Sequence, residues 1–348
     1  MAGFLDLLLV DPDIDALLSS EADLKAMLQV ELALTRACGL SGLIPQDSAT
    51  AVERAAASFE PDVPRLAEDT RRDGIVVSGL VKQLRAHVGE PHGRHVHFGA
   101  TSQDIIDTAL SLRLKYVFDV LDRRLGRLLD ALSDLESRFG THCLMGRTRM
   151  QAAIPITAGD RLGVWRGLVE RSRASFRDVW HRNLILSLAG PAGTSDKFSD
   201  KIGEVRLAMG RQLHLTVPDY VPHAARDRIA ALGSWLSATT GALGKIGQDV
   251  ALMAQNELGE IELAGAGGSS AMAHKQNPVA AEVLVTLARF NAVQVSGLHH
   301  AMIHEQERSG AAWTLEWMIL PQMLNATGTA LLHAQSMIEA VKRIGQPA

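Results

Sequence analysis

Apolar residues recur along this chain at helical spacing over unusually long runs. From Ser102 to Phe139 the series Leu110, Leu114, Val117, Leu121, Leu125, Leu128, Leu132, Leu135, Phe139 advances by three or four residues at every step. That spacing lays side chains along one face of an α-helix, so a single helix is predicted over 102–139. At 1.5 Å per residue it would be about 57 Å long. A second run, 226–258, carries Ile229, Leu232, Leu236, Thr239, Leu243, Ile246, Val250 and Met253 as a near-strict heptad. Further helices are predicted over 278–303 and 313–344, and near 159–185. Stripes this long need partner helices to bury them, and their length calls for a bundle shared between subunits. The first hundred residues read as shorter helices broken by Pro45, Pro61, Pro64 and Pro91. The expectation is an all-α protein with a smaller N-terminal domain (1–100) and a long-helix bundle domain (101–348). No strand-like alternation of note is seen.

Composition supports that reading. Hydrophobic residues make up 47% of the 348, enough for a large core, while aromatics are only 4%. Abundant Ala and Leu favour helices over sheets. The net charge of −4 and the lack of a basic run argue against a nucleic-acid partner. Two cysteines, Cys38 and Cys143, offer no disulfide framework and suggest a reducing compartment. The apolar patch at 4–10 contains Asp6 and follows no basic residue, so no signal peptide is read there. Nor does any stretch read as a membrane span. A cytoplasmic protein is expected.

Chemistry concentrates in two places. Gly265, Gly267 and Gly268 precede Ser269 and Ser270; Lys275, Asn277 and Pro278 follow. Glycines permit backbone conformations closed to other residues, while Asn277 reads as an N-cap and Pro278 as the first helical residue. Such a loop can carry a hydroxyl and a cation over a small anion. Upstream, Thr101 to Asp104 fits a capping box at the start of the longest helix, and a helix start with two hydroxyls is a ready carboxylate site. The histidines at 92, 95 and 97, and at 300 and 304, are spaced closely enough for a metal, but neither group has a matching cysteine or the His-Glu-x-x-His order. Apart from His97, which lies in a motif, they read as solvated or packing residues. Trp313, Trp317, Met145 and Met150 read as packing residues.

Segment 267–278 resembles the Gly-Ser-Ser-x-Met-Pro-x-Lys-x-Asn-Pro signature of the fumarase/aspartase superfamily, with Ala273 in place of the usual proline. Segment 97–104 resembles its His-x-Gly-x-Thr-Ser-x-Asp motif. The resemblance implies that Thr101 and Ser102 bind a substrate carboxylate, with His97 nearby. Lyases of this group have Gly-x-Thr-His where this chain has Gly146, Arg147, Thr148 and Arg149; Arg72 similarly stands where adenylosuccinate lyases place a histidine. Arginine stays charged and cannot shuttle protons near neutral pH. A departing amine needs an acid, whereas a carboxylate needs a fixed positive charge, which Arg149 supplies with bidentate geometry.

That points to the carboxymuconate-lactonizing branch, which segments 97–109, 226–228 and 306–317 also resemble. The implied reaction closes a lactone within a tricarboxylate substrate. Ser269 would move the proton, and Lys275 and the loop amides would stabilise its alkoxide. Lys275 and Asn277 would bind the carboxylate that gains charge, while Arg149 and Arg308 hold the substrate folded. The resemblance further implies a homotetramer with sites built from several subunits, no metal, no organic cofactor, and a third domain reduced or absent. An adenylosuccinate-type lyase and a non-catalytic, crystallin-like helical protein are the alternatives.

Overall fold

The structure is a computed structural model that describes residues 3–265, 267–268 and 276–347. Two short helices, α1 (Asp6–Leu9) and α2 (Pro12–Leu18), lead into α3 (Ser20–Leu40), α4 (Gln46–Ala56), α5 (Val63–Asp73) and α6 (Val77–Val88). The long helix α7 (Ser102–Phe139) follows, then a hairpin of β1 (Cys143–Thr148) and β2 (Gln151–Thr157), then α8 (Ala158–Asn183) and α9 (Ile202–Leu213). The chain continues through α10 (Asp227–Met253), β3 (Ile261–Leu263), α11 (Val279–His300), α12 (Gly310–Glu339) and β4 (Val341–Ile344). The all-α class therefore holds.

The predicted stripes are the core. Every member of the α10 heptad, from Ile229 to Met253, is buried, and so are Leu114 through Leu135 on α7. Each apolar side chain among them contributes roughly 1.5–3 kcal/mol on burial. Helices α7, α8, α10, α11 and α12 pack on one another, with α10 against α11 the most extensive contact. Glycine makes that contact close. A Cβ on Gly244 would lie 2.5 Å from the Ala288 methyl, and one on Gly247 would lie 2.6 Å from the Ala281 carbonyl oxygen.

Hydrogen bonds fix the directions. Ser111 of α7 donates to the Asn183 carbonyl at the end of α8, and the Asn183 amide reaches the Arg228 carbonyl at the start of α10. At the opposite end, Arg138 of α7 donates to the Val341 carbonyl after α12, and His142 to that of Ile344. Helices α7, α10 and α12 thus begin at one end of the bundle, which α8 and α11 reach last.

Several expectations need correction. The last helix stops at Glu339, because Val341–Ile344 pairs antiparallel with β3. The second long helix stops at Met253 rather than near 258, and the third begins at Val279 with Pro278 as its cap, not Asn277. Asn277 instead forms a backbone bridge to Gly267. The β1–β2 hairpin escaped the pattern because β2 is exposed at nearly every position and has no apolar face to alternate. Met150 does not pack; it is 71% exposed. Finally, α11 is long and apolar enough to cross a membrane by length and composition, contrary to the sequence expectation. It lies along α10 and α12.

Candidate functional site

The start of α7 is held by an unusually dense set of bonds. Asp104 closes the expected capping box by accepting from the Thr101 N–H at 2.9 Å. The same carboxylate accepts from the N–H groups of Ala189 and Gly190 at 2.8 and 3.0 Å, and from His223 Nε2 at 2.7 Å. One buried aspartate therefore fixes Thr101, the 189–195 loop and the segment before α10 relative to one another. Thr101 and Ser102 stay half-buried at the opening of the helix, where unpaired N–H groups and the macrodipole favour an anion.

His97 sits just before this helix with φ at 62°, in the left-handed region. Its Nδ1 donates to the Glu31 carboxylate at 2.6 Å, and Glu31 is 0% exposed. Burial disfavours the imidazolium, but the Glu31 charge and hydrogen bond outweigh it and hold His97 above its ordinary value. Arg308 reaches the same end, donating to Gln103 Oε1 at 2.7 Å and to the Pro191 carbonyl at 3.2 Å. Gln103 in turn donates to the His223 carbonyl at 2.8 Å.

One turn further along α7 lies a buried ion cluster. Arg226 donates to Asp107 at 2.6 and 3.2 Å and to Glu316 at 2.8 and 2.6 Å, all three side chains being no more than 3% exposed. It ties the beginnings of α7, α10 and α12 together. Burial pushes the Asp107 carboxyl up, but Arg226 and Arg228 bring it below its ordinary value; burial leaves Glu316 raised. His304, buried beside Arg226, is held below its ordinary value by burial and by that cation.

The remaining candidates lie elsewhere. Arg149 occupies the exposed tip of the β1–β2 hairpin, where Arg149 and Met150 both have positive φ, 48° and 70°. Two such non-glycine residues cost about 1–3 kcal/mol each, a strain that tends to persist at functional positions. Asn277 closes the neck of its loop through paired backbone bonds with Gly267 at 2.9 and 2.8 Å. Both stand at the far end of the bundle, where Arg147 of β1 pairs with Glu260 at 3.1 Å. Ser269 and Lys275 lie outside the described residues. Arg72 is committed on its own helix, bidentate to Asp73 at 2.7 and 2.8 Å and paired with Asp69 at 3.0 Å.

The structure therefore brings His97, Thr101, Ser102 and Arg308 together at one end of the bundle, while Arg149 and Asn277 stand at the other. A cavity of about 320 Å³ between α7, α12 and the short helices is lined by Asp23, Ile106, Arg113, Glu316 and Trp317 and contains none of the nine candidates. Among the described residues no three His, Cys, Asp or Glu side chains gather as a metal site.

Comparison with known proteins decides the family. A model described as "Lyase" matches residues 14–297. This chain belongs to the lyase family. It is 37% identical over 333 residues to a 3-carboxy-cis,cis-muconate cycloisomerase of Pseudomonas aeruginosa, covering 94% of this chain and 72% of the relative. A protein of that name from Acinetobacter baylyi is 34% identical, covering 95% and 75%. The crystal structure of the 3-carboxy-cis,cis-muconate lactonizing enzyme from Pseudomonas putida superposes with a TM-score of 0.91 at 35% identity, covering 98% of this chain and 77% of that one. As a member of the lyase family, the chain is an enzyme of the fumarase/aspartase superfamily.

Sequence reasoning overlooked several residues that organise this lyase. Glu31 lies in α3, among the N-terminal helices, and carried no motif of its own. Asp104 was read as a cap alone. His223 carried no signal, since 119 residues separate it from Asp104.

Proposed function

We propose that this chain is a 3-carboxy-cis,cis-muconate cycloisomerase acting in protocatechuate degradation through the β-ketoadipate pathway. The observation that carries the reading is the likeness, along nearly the whole chain, to proteins of that name. The α7 start supports it, because its hydroxyls and unpaired N–H groups suit the carboxylates of such a substrate. In the reaction, one substrate carboxylate attacks the conjugated double bond and forms the ring C–O bond. The π electrons move to the neighbouring carbon, whose own carboxylate shares the charge. Ser269 delivers a proton to that carbon and recovers one from solvent. Lys275, the loop amides and the start of α11 stabilise the serine alkoxide, and Asn277 and Lys275 hold the carboxylate that gains charge. Arg149 steadies the attacking carboxylate, a task for a permanent guanidinium rather than a proton carrier. Thr101, Ser102, His97 and Arg308 bind the remaining carboxylates; Arg72, tied up by two aspartates, is assigned the rim.

A substrate a few ångströms across cannot touch both ends of a helix about 57 Å long. The far-end loop and hairpin of one copy must therefore meet the α7 start of another. We accordingly propose a homotetramer whose sites draw on several subunits, with other copies covering the exposed apolar face of α11, where Val293 is 72% exposed. Division at residue 100 into a capping and a bundle domain, and a cytoplasmic location, complete the proposal.

Loss of diene absorbance on adding 3-carboxy-cis,cis-muconate tests the activity. Fumarate release from adenylosuccinate, with the muconate untouched, would overturn it. The variant Ser269→Ala should fold and lose most turnover; full turnover in that variant would remove Ser269 from the mechanism.

A further inference from the structure

Glu31 lies on α3, more than sixty residues before His97, and is buried within the N-terminal helices. Its Oε1 accepts the His97 Nδ1–H at 2.6 Å, while Oε2 has no hydrogen-bond partner among the described residues. The backbone on which His97 rides is clamped from another side. Arg85 of α6 donates twice to the Val96 carbonyl, at 3.3 and 2.9 Å. Gly99, two residues on, has φ at 68°, and a Cβ there would meet the Phe198 ring at 2.8 Å. A left-handed histidine between two such constraints is held in one pose for a reason other than local comfort.

The chemistry of the ring supplies the reason. With Nδ1–H given to Glu31, a neutral imidazole has a bare lone pair at Nε2, which repels a carboxylate. A protonated one has Nε2–H, which binds it. Whether His97 attracts or repels an anionic substrate is therefore decided by its charge. The charged groups that bear on it are Glu31 from α3, Asp104 from α7 and Arg85 from α6. The first two favour the cation and the third opposes it.

Resting on the cycloisomerase reading above, we propose that Glu31 is a positioning residue that fixes the His97 ring and keeps it cationic, so that Nε2–H is a carboxylate ligand beside the Thr101–Ser102 helix start. Glu31 touches no substrate itself. It converts a histidine into a fixed positive charge, while a buried carboxylate elsewhere on the chain balances that charge.

The variant Glu31→Gln tests this, because it keeps shape and an acceptor for Nδ1–H and removes only the charge. Two readings are taken on the intact oligomer. Deuterium exchange at the histidine Cε1 positions, followed by mass spectrometry, reports the titration of His97 without substrate. Initial rates on 3-carboxy-cis,cis-muconate across pH 6–9 report KM and kcat. The expected result is a His97 titration moved to lower pH. KM should rise about tenfold or more on the alkaline side of the range, the loss of one charge-assisted bond, and recover as pH falls. The kcat should change far less. An active wild type whose Glu31→Gln variant keeps its KM–pH profile, or whose His97 titration does not move, overturns the proposal. Wild-type protein inactive on this substrate overturns the function itself, and the substrate role of Glu31 with it. A folding defect in Glu31→Gln is bypassed by His97→Gln, which should give a raised KM that no longer varies with pH; a KM equal to wild type would again overturn the proposal.

Discussion

Replacing Arg226 by methionine should be among the most damaging single changes in the bundle. The guanidinium makes four short bonds to Asp107 and Glu316, and all three side chains are sealed from water. Removing one partner of a buried pair costs about 3–5 kcal/mol, chiefly through the charge left behind. Here two carboxylates lose one shared cation. The costs do not add in full, because the residues form one network and Arg228 still acts on both carboxylates. A loss of about 4 kcal/mol is expected, a large part of the 5–15 kcal/mol that holds most proteins folded. The assay is urea unfolding followed by circular dichroism at fixed protein concentration, since oligomerisation adds to apparent stability. The loss should also depend on pH. Without Arg226 the folded-state values of Asp107 and Glu316 rise, so both carboxyls take up protons more readily in the folded chain. The defect should then be largest near pH 8 and shrink as pH falls toward 5. The triple change Asp107→Asn, Arg226→Met, Glu316→Gln should regain part of the loss, because no buried charge is then unpaired. A loss below about 1 kcal/mol, or one identical at both pH values, would refute the reasoning.

Asp104→Asn places an amide against four donors and should cost about 2–3 kcal/mol in the same unfolding assay. It should also raise KM for the muconate by loosening the α7 start; unchanged values of both would contradict the role given to Asp104. His97 and His304 should leave opposite marks on stability. Folding raises His97, so the stability from its Glu31 pair is fully present below its unfolded value of about 6.5 and is lost as pH rises through the folded value. The gap in stability between wild type and Glu31→Gln should close in that direction. Folding lowers His304, so its stability is present above about 6.5 and lost as pH falls through the folded value. His304→Asn should flatten the acid side of the stability curve, and an unaltered acid limb would count against burial of the neutral ring. Arg149→Lys keeps a charge but not the planar fork, and should lower kcat/KM by about tenfold or more, the worth of a bidentate bond; full activity would remove Arg149 from the site.

Much of the fold was legible because long helices write their burial into one dimension. The α7 helix begins at Ser102 and ends at Phe139, where the stripe and the Thr101–Asp104 box together set its limits. The α10 heptad is buried from first to last for the same reason. The hairpin was illegible because β2 is exposed at nearly every position, while β1 buries only Leu144 outright, leaving little for hydrophobicity to mark. Its tip gave no turn signal either, since Arg149 and Met150 occupy positive φ in place of the usual Asn-Gly. The site was legible only as short motifs. Thr101 and Ser102 announced themselves as a helix start, but the partners that hold them, His223 and the 189–190 amides, come from segments remote in sequence and carry no motif. The match at Arg72 was to a short segment, which says nothing of the two aspartates that pair with its guanidinium.

The central claim is that each site joins the far end of one copy to the α7 start of another. It is tested most directly by mixing two dead variants. Ser269→Ala disables the far-end loop, and the double change Thr101→Ala, Ser102→Ala disables the helix start. Unfolded together and refolded as mixed oligomers, the two should recover turnover of 3-carboxy-cis,cis-muconate, because some sites then combine two intact halves. A mixture as inactive as either variant alone, under conditions where refolded wild type is active, would contradict the account.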